Sequence, residues 1–343
     1  MKKAASSSAV SLLAVAKEAG VSRATASLVL RNSPLVAEPT RERVKEAMQR
    51  LGYIYNRGAA NLRQNRTGTI GLVLSNIANP FFSTLTAGVE QSNDVSEAIC
   101  LIANTAESPE RQDRQIRRLR EHNVDGLIIC PAVGSDQGLI DALGRLGLPY
   151  VQVLREISNS QGDVVTADYA AGIEQAMAHL VETGRRRIVF IGSMEMHSAA
   201  LARLDGYTTA VRRLGLTLMP VIAGTRDNRY DEEAFDRLLV SGDPPDAAIC
   251  YNDIIALSLF HHLGRRGMIV GVDFAVIGMD DLPQAAAAFP ALTTIATMPY
   301  RIGAVAAGLL QQRLARPERA YERHVIAPEL VLRDSTRGPA ARS

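Results

Sequence analysis

Ser11-Leu12-Leu13-Ala14-Val15-Ala16-Lys17-Glu18-Ala19-Gly20-Val21-Ser22-Arg23-Ala24-Thr25-Ala26-Ser27-Leu28-Val29-Leu30 carries the first decision about the fold. Ser11 is a helix-capping residue type, and the apolar periodicity it opens runs to about Ala19 before Gly20 breaks it. Ser22 is a second cap, and the spacing predicts a second helix from Arg23 to about Arg31. Leu12, Val15, Ala16, Ala19, Val21, Ala26, Val29 and Leu30 fall on inward faces, and a third helix from Thr40 to Leu51 closes them with Val44, Ala47, Met48 and Leu51. In a helix-turn-helix the second helix lies in the major groove with its N-terminal residues at base edges. Here those residues are Ser22, Arg23, Ala24, Thr25 and Ser27, and Arg23 has the fork that pairs bidentately with guanine.

Charge and the next segment weigh against a generic three-helix bundle. Residues 1–66 hold 12 Lys/Arg against 4 Glu, a net of +8, while the rest of the chain holds 26 against 32, a net of −6. A basic head on an acidic body points to a polyanion for the head alone. Residues 56–66 are short, polar and basic, with Leu62 as their one large apolar side chain. Such a stretch is a marginal helix in water. On DNA, a pair of them can fold and push Leu62 between minor-groove base steps, kinking the duplex.

Beyond Thr69, apolar runs of three to six residues alternate with amphipathic stretches. Ile70–Leu74, Ile99–Ala103, Leu127–Cys130, Tyr150–Leu154, Ile188–Ile191, Ala248–Cys250 and Ala275–Ile277 read as strands buried on both faces. Glu110–Arg120, Asp168–Leu180, Leu201–Leu214 and Ile254–Leu263 read as their connecting helices. In open parallel sheets ligands bind beyond the carboxyl ends of the strands, so the loops there are the candidate site.

Residues 11–66 resemble the DNA-binding head and hinge of the lactose-repressor/galactose-repressor family. The resemblance rests on Val15 to Ser22, Thr25, Val36, Thr40-Arg41-Glu42-Arg43-Val44, Leu51-Gly52-Tyr53-Ile54, Asn56 and Ala59. It continues through Ile77 to Phe82, Asp168, Gly172, His179-Leu180, Gly184, Arg187-Ile188, Arg203 to Tyr207, Asn252-Asp253, Gly278 to Asp281 and Leu292 to Ile295. The fold it implies is an all-α helix-turn-helix head and an α/β periplasmic-binding-protein-like body of two parallel-sheet lobes. The implied boundaries are 1–66 for head and hinge, 67–166 with 297–325 for the first lobe, and 167–296 with 326–338 for the second.

By resemblance, Arg23, Ala24 and Leu28 occupy base-reading positions, Asn56, Arg57 and Ala59 belong to the DNA-contacting hinge, and Leu62 is its intercalating leucine. Arg203, Asn252 and Asp280 would hydrogen-bond a polar effector, with Phe81 or Phe82 as an apolar wall. An arginine fork, an amide and a carboxylate suit the paired hydroxyls of a sugar. Leu154 stands where some sugar-binding members have aspartate, and its neighbour Arg155 would favour an acidic sugar. The chain departs from the family at Ala14, where an acidic capping partner is usual, at Tyr55, which replaces a proline, and at Arg185, where histidine is common. Gly58 weakens the hinge helix by roughly 1 kcal/mol against Ala.

Motifs and resemblance together imply a cytoplasmic, sequence-specific transcriptional regulator, a repressor in most such cases. Its partners would be double-stranded operator DNA, a sugar-like effector and a second copy of itself, since two heads must span a two-fold operator. The short polar tail after Arg333 holds no leucine heptads, so a dimer is expected. A rival reading takes Met1-Lys2-Lys3 and the apolar run Ala9 to Ala16 as a secretory leader, which would make the body a periplasmic sugar-binding protein. An enzyme is not expected, because nucleotide-loop, zinc-protease and nucleophile-elbow motifs are absent. Cys100, Cys130 and Cys250 read as buried strand-end thiols, and His261-His262 as a solvated pair at a helix end. No metal, cofactor or membrane span is expected.

Overall fold

The computed structural model describes residues 10–30, 32–54, 66–94, 98–157, 161–193, 195 and 197–337. The chain divides into two compact units, Met1–Thr67 and Gly68–Ser343. None of the described helices is long and apolar enough to cross a membrane.

The first unit holds α1 (Leu12–Glu18), α2 (Arg23–Leu30) and α3 (Glu38–Leu51). Ser11 caps α1, its hydroxyl accepting the Ala14 N–H at 3.2 Å even without an acidic residue in the first turn. Gly20 turns the chain at φ +65, a left-handed conformation that glycine adopts without a Cβ penalty. Ser22 then caps α2 by accepting the Thr25 N–H at 3.0 Å. The third helix starts at Glu38, two residues before the expected Thr40, because Pro39 lies in its first turn, where a missing N–H costs nothing. Val15, Ala16, Ala19, Ala26, Val29, Val36, Val44 and Ala47 are the buried core of the unit. Val15 and Ala16, the end of the leader-like run, are thus structural residues of α1.

The second unit alternates strand and helix: β1 (Thr69–Leu74), α4 (Pro80–Asp94), β2 (Ile99–Asn104), α5 (Pro109–Glu121), β3 (Gly126–Ile129), α6 (Gln137–Arg145), β4 (Tyr150–Val153) and β5 (Asp163–Ala167). Next in the chain are α7 (Tyr169–Glu182), β6 (Ile188–Ser193), α8 (Ser198–Arg213), β7 (Ile222–Gly224), α9 (Glu232–Leu239), β8 (Ala247–Cys250), α10 (Asp253–Arg265), β9 (Ala275–Met279), α11 (Pro283–Ala287) and β10 (Thr293–Ala296). Last come α12 (Pro299–Ala315), β11 (Arg323–Ile326) and β12 (Glu329–Val331).

Two six-stranded sheets result, in the orders β11-β5-β4-β3-β1-β2 and β12-β10-β9-β8-β6-β7. All pairings are parallel except β12, which runs antiparallel to β10. The chain passes between the two lobes after β5, after β10 and between β11 and β12. Every apolar run singled out in the sequence is a strand. The short or half-polar strands β5, β7, β10, β11 and β12 were not among those runs, and α4, α6, α9, α11 and α12 were not among the expected helices.

Helix α12 packs across α4 at two glycines. A Cβ on Gly88 would stand 2.0 Å from the Tyr300 carbonyl oxygen, and one on Gly303 would stand 2.1 Å from that of Leu85. Small residues let the two backbones touch, and they also dilute the apolar periodicity that would have revealed α12. The contact fixes α4, whose first turn carries Phe81 and Phe82 toward the inter-lobe cleft.

Candidate functional site

On the first unit the N-terminal turn of α2 is the outward face. Ser22, Arg23 and Ala24 are exposed, Thr25 and Ser27 are half-buried, and Ala26 and Val29 point into the core. The Ser22 hydroxyl also lies 2.9 Å from that of Thr25, which holds this turn in one geometry. Arg23 forms no ion pair among the described residues, so its donor fork is uncommitted. Arg41, by contrast, is spent on structure: its guanidinium donates to the Ser33 and Val36 carbonyls at 2.8 and 3.4 Å and pairs with Glu38. Leu28 is half-buried against the head core, so only part of it faces outward. Asn56, Arg57, Ala59 and Leu62 lie outside the described residues.

In the second unit a cavity of about 70 Å³ opens between the lobes at the carboxyl ends of the strands. From the first lobe it is lined by Asn79, Phe81 and Phe82 after β1, Cys130 after β3, and Leu154 and Arg155 after β4. From the second come Tyr169, Ala199, Arg203, Tyr251, Asn252 and Asp280. The sequence therefore placed Phe81, Phe82, Arg155, Arg203, Asn252 and Asp280 in one site, and both phenylalanines contribute, edge to face at 5.6 Å.

Arg203 is the centre of the second lobe's wall. Its guanidinium lies between two aromatic faces, 3.8 Å from the Tyr169 ring centroid and 4.4 Å from that of Tyr251, a cation–π sandwich. Nη1 donates to the Ala199 carbonyl at 2.8 Å and Nε to the Met279 sulfur at 3.0 Å, leaving Nη2 uncommitted. Tyr169 and Tyr251 carried no motif; one follows the helix cap Asp168 and the other directly precedes Asn252, and only the fold shows that both face Arg203.

Asp280 faces the same cavity from a backbone held at φ +114, a region few residues other than glycine adopt. Its carboxylate receives one long bond, from Thr297 Oγ1 at 3.5 Å. Burial pushes its pKa well above the ordinary value of 3.8, with Asp253 adding to the rise and Arg203 offsetting only part of it. A buried carboxyl with spare acceptors beside a guanidinium with spare donors is poised for a polyhydroxyl partner. Asn252 is more committed: Oδ1 caps α10 through the Ile255 N–H at 3.0 Å, and Nδ2 donates to Asn228 at 2.6 Å.

Arg155 corrects an expectation. Its fork meets both carboxylate oxygens of Glu107, at 2.7 and 2.9 Å, and donates to the Pro131 carbonyl at 3.0 Å. Burial alone would raise the Glu107 carboxyl, but the Arg155 bonds and charge hold it below the ordinary carboxylate range. The charge expected to attract an acidic sugar is therefore matched within the first lobe. His197, which no sequence motif marks, lines a second cavity of about 70 Å³ at the cleft mouth. Burial, with Arg155 and Arg203 nearby, pushes its pKa down to about 2, so it is neutral. Nδ1 accepts the Ala200 N–H at 3.2 Å, which leaves the proton on Nε2, 3.4 Å from the Tyr251 hydroxyl.

Away from the cleft, His262 also departs from expectation. It is buried, with Nδ1 at 2.8 Å from the Tyr230 hydroxyl and Nε2 at 2.6 Å from Asp236, while His261 is exposed. Helical spacing put it on the inner face of α10. Arg185 closes a turn by donating to the Val272 and Asp273 carbonyls at 2.8 and 3.2 Å. Cys130 and Cys250 are buried free thiols, whereas Cys100 is half-buried within β2. The described residues contain no His/Cys/Asp/Glu cluster able to hold a metal ion.

Comparison with known proteins bears on both sites. Residues 11–56 match the bacterial regulatory proteins, lacI family, and residues 177–336 a periplasmic binding protein-like domain. The chain is 32% identical over 94% of its length, and 97% of the relative's, to the HTH-type transcriptional repressor PurR of Photobacterium profundum. The chain belongs to the lacI family of bacterial regulatory proteins. Among solved structures, the lac repressor dimer bound to operator and the anti-inducer ONPF aligns with a TM-score of 0.83 at 25% identity, covering 96% of this lacI-family chain and 99% of that one. The transcriptional regulator CelR–cellobiose complex aligns at 0.71 with 30% identity, covering 95% and 99%. The lacI-family head and the periplasmic-binding-protein-like body are thus both present in one chain.

Proposed function

We propose that this protein is a DNA-binding transcriptional repressor whose grip on an operator is set by a neutral sugar held between the lobes of its body. Its chief support is that one chain carries both ends of such a device: an uncommitted Arg23 on the outward turn of α2, and the Arg203–Asp280 pair with unspent hydrogen-bonding capacity in an inter-lobe cavity. Relatives point the same way, since the aligned lac repressor is an operator-bound dimer and the aligned CelR holds cellobiose. The charges of Arg155 and Arg226 are matched by Glu107 and Glu195, so neither is free to select a sugar acid.

The protein acts by binding, without turnover, as a homodimer in the cytoplasm where its DNA partner resides. Ser22, Arg23, Ala24, Thr25, Ser27 and the outward part of Leu28 address base edges and phosphates, with Asn56, Arg57, Ala59 and Leu62 of the hinge segment contributing in the minor groove. At about 70 Å³ the central cavity is smaller than the 300–1,000 Å³ typical of ligand pockets, so a sugar enters only when the lobes part. By linkage, a sugar that weakens operator binding must itself bind more weakly to the operator complex.

Selection of a randomised duplex pool by the full-length protein, followed by elution with a panel of sugars, tests this. Enrichment of an inverted repeat that a sugar releases is the expected result; recovery of no common sequence overturns the repressor assignment.

A further inference from the structure

A third cavity, of about 300 Å³, lies farther along the inter-lobe cleft and is several times larger than the one beside Arg203 and Asp280. Its walls come from both lobes: Pro131, Ser135 and Ile157 on one side, and His197, Ser198 and Leu201 on the other. Arg155 lines this cavity, the central one and the mouth alike, so the three compartments meet along one side chain.

The charged groups around the third cavity are already engaged. Arg155 is bound by Glu107. Asp136 caps α6 through the Gly138 N–H at 2.9 Å, and Glu156 is held by Arg323 at 2.9 and 3.2 Å. What remains on offer is an apolar floor of Pro131, Ile157 and Leu201, the last 42% exposed despite lying on a cleft wall, with the O–H donors of Ser135 and Ser198 at its edge, their oxygens already accepting from Gln112 and Glu156. A surface with apolar patches and hydroxyl groups, its charged side chains already held in hydrogen bonds or ion pairs, suits a saccharide ring, which presents C–H faces and hydroxyl edges together. The lobes already meet here, the Glu156 N–H donating to Ser198 Oγ at 2.8 Å, so a ligand seated beside this bond touches both lobes at once.

Resting on the neutral-sugar reading, we propose that the effector is an oligosaccharide of at least two units, one held by Arg203 and Asp280 and the next passing Arg155 into the cavity floored by Ile157 and Leu201. The third cavity then selects for chain length, while the central one supplies the polar anchor.

Titration calorimetry of the full-length protein with matched series decides it: glucose, galactose and xylose, each with its α- and β-linked di- and trisaccharides. The tightest binder is expected to be a di- or trisaccharide, at least 10-fold tighter than its own monosaccharide. Leu201→Trp fills the third cavity from a half-exposed helical position, and is expected to remove that advantage while leaving monosaccharide affinity and thermal stability unchanged. A monosaccharide as the tightest binder overturns the inference and leaves the repressor assignment standing. Loss of mono- and disaccharide affinity by the same factor in Leu201→Trp also overturns it, as does an undiminished advantage. If no sugar of any length binds, the inference and the sugar-effector assignment fall together.

Discussion

Replacing Asp253 by Asn is expected to flatten the dependence of the body's stability on pH. Asp253 opens α10 and is fully buried; its oxygens accept the Thr294 hydroxyl at 2.6 Å and the Leu282 N–H at 2.7 Å. Burial raises its pKa from 3.8 to about 7, with Asp281 adding to the rise and Arg333, Thr294 and Leu282 opposing it. Because the folded value exceeds the unfolded one, the folded state binds the extra proton, and stability falls as pH climbs from about 4 through about 7. At 1.36 kcal/mol per pKa unit, the whole effect is on the order of 4 kcal/mol, of which about 2–3 kcal/mol falls between pH 5 and pH 8. Asparagine keeps the shape, with its carbonyl toward Leu282 and its NH₂ toward the Thr294 oxygen, and does not titrate. Urea unfolding of both proteins at pH 5, 6, 7 and 8 should show the wild type losing roughly that much more stability than Asp253→Asn as pH rises. Asp280 titrates in the same direction and remains in both proteins; because the Asp253 charge adds to its rise, the difference reports Asp253 together with its coupling to Asp280. Parallel curves, or a variant that falls more steeply than the wild type, would refute the assignment of a raised pKa.

Three further outcomes are expected. Arg203→Ala removes charged donors from the cleft, at about 1.5–3 kcal/mol for such a bond, and should weaken sugar binding by roughly 10- to 150-fold in calorimetry while sugar-free operator affinity stays within twofold. Arg23→Ala should cost about 1–3 kcal/mol against the selected operator and much less against random duplex, as read by fluorescence anisotropy at fixed salt; equal losses on both would assign Arg23 to phosphate contact. Gly303→Ala forces a Cβ against the Leu85 carbonyl and should destabilise the body by about 1–3 kcal/mol in urea, whereas Gly308→Ala, five residues on in the same helix and facing open space, should not.

Much of this protein was legible because the relevant interactions are local. A capping serine, a breaking glycine and an apolar stripe are set within a few residues, so Ser11, Gly20 and Ser22 were enough to place α1 and α2. Strands buried on both faces announce themselves as apolar runs, which is why β1, β3, β4, β6, β8 and β9 could be named. Helix α12 could not, since the Gly303 and Gly88 contact that makes it fit depends on two segments about two hundred residues apart.

The cleft divides along the same line. Arg203, Asp280 and the phenylalanines could be named as candidates because they lie in stretches that resemble the family, and the fold brings them to one cavity. The partner of Arg155 was not, since Glu107 reaches it from another loop with Ala106 and Glu107 both left-handed, at φ +49 and +59. Nor did the sequence reveal that Tyr169 and Tyr251 sandwich Arg203, or that His262 turns inward to Tyr230 and Asp236. Most elements, their order and the candidate polar anchors could be read from the residues alone, because propensity, capping and burial patterns act over a few positions. Which charges remain available to a ligand was settled in three dimensions, because pairing and desolvation depend on groups brought together from distant parts of the chain.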